Sequence, residues 1–121
     1  QQFKEYIHNV VLNCKAMCNE FISMGYEIVT GGTDNHLFLL DLTNTGLTGK
    51  EVQDELDKHN ITVNKNCIPN ETRSPQLASG IRIGTAAMTT KGYTKNDFII
   101  IAHKIDKIIR DMRKEKHNAE F

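Results

Sequence analysis

Ser79-Gly80-Ile81-Arg82-Ile83-Gly84-Thr85 sets two isoleucines about one arginine, with a glycine on either side. Alternation of this kind has the period of a β-strand, and the flanking glycines allow a turn or a close approach of backbone at both ends. A half-buried strand would carry Arg82, and a guanidinium in such a place needs an anionic partner, because an uncompensated buried charge is costly. Spacing alone favours an ordinary ion pair with one of the chain's carboxylates. The functional alternative is a planar fork that grips the carboxylate of a bound molecule through two parallel hydrogen bonds.

Upstream of this strand, residues 64–75 are dense in polar and turn-forming groups and hold both prolines, Pro69 and Pro75. The expectation is a long irregular loop, functional or disordered. Ile61-Thr62-Val63 before it reads as a strand. Thr48 followed by Glu51 is a capping box that opens a short amphipathic helix from Gly49 to about His59. Leu37–Leu42 reads as a strand and Glu27–Thr30 as a shorter one. Between those two, Gly31-Gly32-Thr33-Asp34-Asn35-His36 is a tight connection whose spacing favours a hairpin turn over a phosphate cradle, with His36 in a structural hydrogen bond.

At the amino-terminal side, Phe3, Tyr6, Ile7, Val10, Val11, Cys14, Met17, Cys18, Phe21 and Ile22 recur at steps of three and four, which predicts a long helix with one buried stripe, stopped at Gly25. Downstream, Thr94 or Asn96 caps a last helix through Phe98, Ile101, Ile105, Ile108, Ile109 and Met112, before a charged, solvated or frayed tail. The expected architecture is an α+β two-layer domain, a mostly antiparallel sheet with helices on one face. Residues 1–25 would be the first helix, 26–112 the body and 113–121 the tail.

The 121 residues carry 15 basic and 15 acidic side chains, with 39% hydrophobic and 25% charged, about the size of one domain. Balanced charge without a basic stripe argues against nucleic acid or a membrane surface as partner, and the apolar runs are far short of a membrane span. Cys14, Cys18 and Cys67 are an odd, sparse set, which argues against a disulfide scaffold and for a reducing, cytoplasmic setting. Cys14 and Cys18 could be half of a metal site, but no ligand pair at suitable spacing completes one, so buried thiols are the expectation. His8, His59, His103 and His117 are expected to face solvent. The chain opens on Gln1 within a helical pattern, without an initiator methionine, and is expected to be part of a longer polypeptide.

Three blocks, Thr30-Gly31-Gly32-Thr33-Asp34-Asn35-His36-Leu37, Ile61-Thr62-Val63-Asn64-Lys65-Asn66 and Ser79–Thr85, closely resemble in this order the C-terminal small domain of serine hydroxymethyltransferase, with its linking helix. That family is a group of pyridoxal-phosphate enzymes of the aminotransferase-like fold. The resemblance implies interconversion of serine and tetrahydrofolate with glycine and methylenetetrahydrofolate in the full-length protein. It implies that Arg82 binds the amino-acid carboxylate, that Asn66 hydrogen-bonds the pterin, and that Ser74, Pro75 and Gln76 line the folate site. Departures from the family pattern are Cys67 for a common Thr or Ser, Gln76 for an aromatic in some relatives, Ala86 for a frequent Pro and Lys91 for a frequent Arg. Cys67, directly after Asn66, could be oxidised and then obstruct folate, although a small side chain replacing a hydroxyl is the plainer reading.

The family's Schiff-base lysine and catalytic groups belong to the large domain; Lys65 and Lys91 lie in the wrong motifs. The expectation is therefore a fragment with no catalytic, metal or covalent cofactor residue, inactive alone, that works with pyridoxal phosphate, tetrahydrofolate, its own large domain and a homodimeric or homotetrameric partner. Cytoplasm is expected, with a mitochondrial parent enzyme as the alternative. The small domain of another glycine-handling enzyme, an aldolase or acyltransferase, would keep Arg82 without the Asn66 contact. A detached assembly module would need neither.

Overall fold

The computed structural model describes residues 2–29, 37–85 and 92–119. In chain order these form helix α1 (Gln2–Ser23), strands β1 (Glu27–Ile28) and β2 (Leu37–Asp41), a short 3-10 turn (Thr43–Thr45), helix α2 (Gly49–Lys58), strands β3 (Asn64–Asn66) and β4 (Gly80–Gly84), and helix α3 (Lys95–Ala119). The four strands pair in the order β1-β2-β4-β3, all antiparallel. An α+β domain with an antiparallel sheet is thus what the chain builds.

Helix α1 ends as its sequence predicts. Gly25 takes φ 95, the left-handed conformation that costs a residue without Cβ little. The Tyr26 amide then donates to the Phe21 carbonyl at 3.0 Å and the Gly25 amide to that of Ile22 at 3.0 Å, closing the helix in a Schellman motif. The Phe21 and Tyr26 rings meet edge to face across this stop, 5.4 Å apart. Helix α2 begins on the expected capping box: Thr48 Oγ1 accepts from the Glu51 amide at 3.1 Å, and Glu51 Oε1 accepts from the Thr48 amide at 2.9 Å. Its remaining first-turn amides are also used, Gly49 donating to the Ala78 carbonyl at 3.0 Å, Lys50 to that of Leu77 at 2.9 Å and Val52 to that of Thr48 at 3.2 Å.

The core lies between the helices and one face of the sheet. Phe38 and Leu40 of β2 and Ile81 and Ile83 of β4 point inward against Phe21 of α1, Val52 and Leu56 of α2, and Phe98, Ile105 and Ile109 of α3, all essentially buried. Each such side chain contributes about 1.5–3 kcal/mol by leaving water.

Two expectations are corrected, and a third is met in one of its two forms. The strand expected at Ile61–Val63 forms instead at Asn64–Asn66. Ile61 is still engaged with the end of α2, its amide donating to the Leu56 carbonyl at 3.0 Å beside Asn60 at φ 62, and Gln53 Oε1 accepts from the Lys65 amide at 2.7 Å, which fixes the ladder three residues later. The stripe on α1 is narrower than its apolar spacing: Val10, Cys14, Met17, Cys18 and Phe21 are buried, whereas Ile7 and Ile22 are 43% and 52% exposed. Phe3 and Tyr6 lie outside the described side chains. The charged tail is solvated as expected, residues 113–118 being exposed, but it is not frayed: helix α3 runs on through it to Ala119, and Lys116 Nζ donates to the Gly46 carbonyl at 2.9 Å. The connection at residues 30–36, with His36, and Ala86 and Lys91 lie outside the described residues.

Candidate functional site

The face of the sheet away from the core is made by alternate residues, Leu37, Leu39 and Asp41 of β2 and Gly80, Arg82 and Gly84 of β4. Arg82 pairs with Leu39 on one side and with Asn64 on the other. It therefore stands in the middle of a cross-strand row. Asn66 pairs with Gly80, on the same face and diagonal to Arg82; such diagonal neighbours lie roughly 7–8 Å apart in a regular ladder. One small molecule laid across the sheet could reach both.

Arg82 is exposed. Among the described residues no carboxylate is in ion-pair contact with it, so none of these supplies the ion pair favoured by spacing. The reason is the placement of the strand. Its arginine faces the open side, where water solvates the charge, and neighbouring carboxylates are engaged elsewhere: Asp41 Oδ1 accepts from the Thr43 amide at 2.9 Å and from Thr43 Oγ1 at 2.7 Å. A fork with five donors is thus presented outward from a strand held on both edges.

Gly80 explains how the loop and the sheet meet. A methyl group there would come within 2.9 Å of Ile68 Cγ2 and 3.0 Å of both Leu39 Cδ1 and the Leu40 carbonyl oxygen. Ile68 and Leu39 thus close over the backbone between Asn66 and the start of β4, and only glycine leaves them room.

The connection from β3 to β4 is ordered by one carboxylate. Glu71 Oε1 accepts from the amides of Ile68 at 3.2 Å and Ser79 at 2.7 Å; Oε2 accepts from the amides of Thr72 at 3.1 Å and Arg73 at 3.2 Å and from Ser79 Oγ at 2.5 Å. Burial alone would raise the Glu71 carboxyl, but the hydrogen bonds from Ser79, Arg73 and Ile68 outweigh it and hold the group down at about 2. Arg73 Nη1 adds a second tie, donating to the Leu47 carbonyl at 2.9 Å and to Ser79 Oγ at 3.2 Å. Sequence reasoning missed Glu71. The available signal was an acid within a run of turn formers, where a carboxylate can gather nearby amides.

Ser74, Pro75 and Gln76 are exposed and begin a helical turn in which the Ser74 carbonyl accepts from Leu77 at 3.0 Å and Ala78 at 2.8 Å. Among the described residues no hydrogen bond joins them to Arg82 or Asn66. The Asn66 side chain donates from Nδ2 to the Cys67 carbonyl at 2.9 Å, and among the described residues no hydrogen bond is made to its Oδ1. Cys67 is an exposed free thiol, whereas Cys14 and Cys18 are buried. Burial, then the neighbouring Cys18, push the Cys14 thiol up to about 11 against a lowering hydrogen bond with Thr85. Among the described residues no three His, Cys, Asp or Glu side chains gather as a metal site would require, and no helix is long and apolar enough to cross a membrane.

A second polar cluster was not legible in the sequence. Buried Asp106 of α3 accepts from the Tyr26 hydroxyl at 2.7 Å and from Arg110 Nε at 2.9 Å. Burial, then the hydrogen bond to Asp106, push the Tyr26 phenol well above its usual range. Likewise His103, exposed as expected, meets Glu20 across α1 and α3 at 2.5 Å. Partners separated by some eighty residues leave no local trace.

Comparison with known proteins places these residues among relatives. The family model described as serine hydroxymethyltransferase matches residues 1–105. A serine hydroxymethyltransferase of Metamycoplasma arthritidis is 48% identical over 115 residues, 94% of this chain and 27% of the relative. One of Rickettsia prowazekii is 44% identical over 119 residues, 98% of this chain and 28% of the relative. The chain spans just over a quarter of the length of these curated relatives.

Proposed function

The chain belongs to the serine hydroxymethyltransferase family, and on that footing we propose that it is the small C-terminal domain of an enzyme that moves the hydroxymethyl group of serine to tetrahydrofolate, leaving glycine. Within that enzyme Arg82 binds the amino-acid carboxylate. Asn66 hydrogen-bonds the pterin, and Ser74, Pro75 and Gln76 form part of the folate wall. The partners of the domain are serine or glycine, tetrahydrofolate, the remainder of its polypeptide and further copies of the protein. Alone, the chain does not turn over.

One observation carries this reading: the Arg82 guanidinium stands on the open face of the sheet without a carboxylate partner among the described residues, with Asn66 diagonal to it on that face. A planar fork fixes a carboxylate in two parallel hydrogen bonds and so fixes the orientation of the bonds at Cα. The asparagine amide offers an acceptor and donors to the edge of a heterocycle.

Pyridoxal phosphate, when bound, supplies the electron sink for breaking a bond at Cα. The described residues do not build its site. Lys65 pairs with Ile81, whose side chain is in the core, so it leaves the strand on the face opposite Arg82, and no step through the cofactor is assigned to this chain. What the chain contributes is binding and orientation.

The test is Arg82→Ala in the whole protein, read by glycine and serine affinity. The loss of a bidentate charged contact should weaken both by about tenfold or more, with Arg82→Lys recovering only part. Normal serine cleavage by Arg82→Ala would overturn the assignment.

A further inference from the structure

We propose that Glu71 is a positioning residue for the folate side of the site, acting through the loop between β3 and β4 and touching no ligand itself. This rests on the functional reading above and deepens it.

Two carboxylate oxygens collect five donors, from Ile68 near one end of the loop, Thr72 and Arg73 in its middle and Ser79 at the other end. Ile68 leaves β3 two residues after Asn66; Ser79 enters β4 directly before Gly80. Glu71 therefore ties the exit of one strand to the entrance of the next and fixes where the intervening turn at Ser74–Gln76 lies. Arg73, whose amide donates to the same carboxylate, carries its guanidinium across to the Leu47 carbonyl before α2. The loop is thus anchored to the sheet and to the segment leading into α2 through one acid.

Arg82 is held differently. Its backbone is laddered to Leu39 on one side and Asn64 on the other, so its place depends on the sheet and not on the loop. Replacing the Glu71 carboxylate should loosen the folate wall and leave the carboxylate clamp where it is. Glutamine makes the discriminating change. It keeps size and one acceptor oxygen, but its amide nitrogen replaces one of the two oxygens, and at either place it sets a donor against two backbone donors.

The experiment uses the whole protein, with glycine titrated alone and tetrahydrofolate titrated at saturating glycine. Glu71→Gln should weaken tetrahydrofolate by about tenfold or more and change glycine by less than about threefold. Glu71→Asp, which keeps both acceptor oxygens, should return tetrahydrofolate to within about threefold of the parent. Ser79→Ala, which removes one of the five donors to Glu71 and one of the two acceptors of Arg73 Nη1, should give a smaller loss of the same kind and keeps the test open should Glu71→Gln not fold. Equal loss of both ligands, or loss of neither, overturns the positioning role. A parent protein that binds glycine but no tetrahydrofolate overturns the functional reading instead, and the positioning role with it.

Discussion

Arg82 and Asn64 stand directly opposite one another across β4 and β3, on the face of the sheet away from the core. Neither side chain is buried. The arginine at the centre of the sheet is therefore free of any task in the core, and its removal separates binding from folding. Arg82→Ala should change unfolding free energy by no more than about 0.5 kcal/mol, as exposed substitutions do, while amino-acid binding falls. Urea unfolding of parent and variant, run beside the binding titration, checks this; a large loss of stability would mean that Arg82 serves the fold.

Gly49 sets helix propensity against space. Alanine in place of a helical glycine ordinarily gains roughly 0.5–1 kcal/mol. Here the added methyl would collide with the Gly80 carbonyl oxygen and stand 3.2 Å from Lys65 Cβ and 3.3 Å from the Leu77 carbonyl oxygen. Two of the three obstacles are backbone, which cannot rotate aside. Gly49→Ala should therefore destabilise by about 1–3 kcal/mol, and a raised melting temperature would contradict the close packing of α2 on the loop.

Acid should act on the loop through Glu71. Its carboxyl lies at about 2 in the folded chain against an ordinary 4.5, so between those values the unfolded chain binds more protons and stability rises with pH. That contribution is present above pH 4.5 and is lost as the pH falls toward 2. The unfolding midpoint of the parent should drop more steeply across this window than that of Glu71→Gln, which has no proton to take up. Parallel acid limbs would show that the carboxylate is not held as described.

Alkali acts with the opposite sign at Tyr26 and Cys14. The phenol is raised above its usual 10 and the Cys14 thiol from 9.0 to about 11, so at high pH the folded chain keeps protons that the unfolded chain has lost. Their stabilisation is complete below pH 9 and declines as the pH rises through the folded values. Tyr26→Phe should shallow this decline when denaturation is followed from pH 8 to 12, at the cost of a hydrogen bond to buried Asp106. An unchanged slope would rule out the shifted phenol as its source.

Local patterns carried much of the fold. The Thr48–Glu51 box, the Gly25 stop and the alternation about Arg82 each arise within a few residues, and each is found where the sequence puts it. What escaped depended on distant partners. Strand β3 forms at Asn64–Asn66 because Gln53 and the partner strand decide the ladder, although the more apolar residues come three positions earlier. Ile7 and Ile22 share the period of the buried stripe and still face outward, since period alone does not say how wide a face is covered. At the site, Arg82 was legible as an arginine in need of an anion, and the structure shows that its own chain does not supply one among the described residues. Glu71 left only a weak signal, an acid among turn formers, because its role lies in gathering amides, which any sequence provides.

The amino-terminal end of α2 is closed. Its first four amides are spent on Ala78, Leu77 and Thr48, so the positive pole that a helix usually offers to phosphate is discharged within the domain. If Arg82 binds a carboxylate as proposed, its flat fork does so without help from this helix end. On the proposed function, α2 lends no free helix pole to the site, and recognition of the amino acid rests on the match of a planar fork to a planar carboxylate.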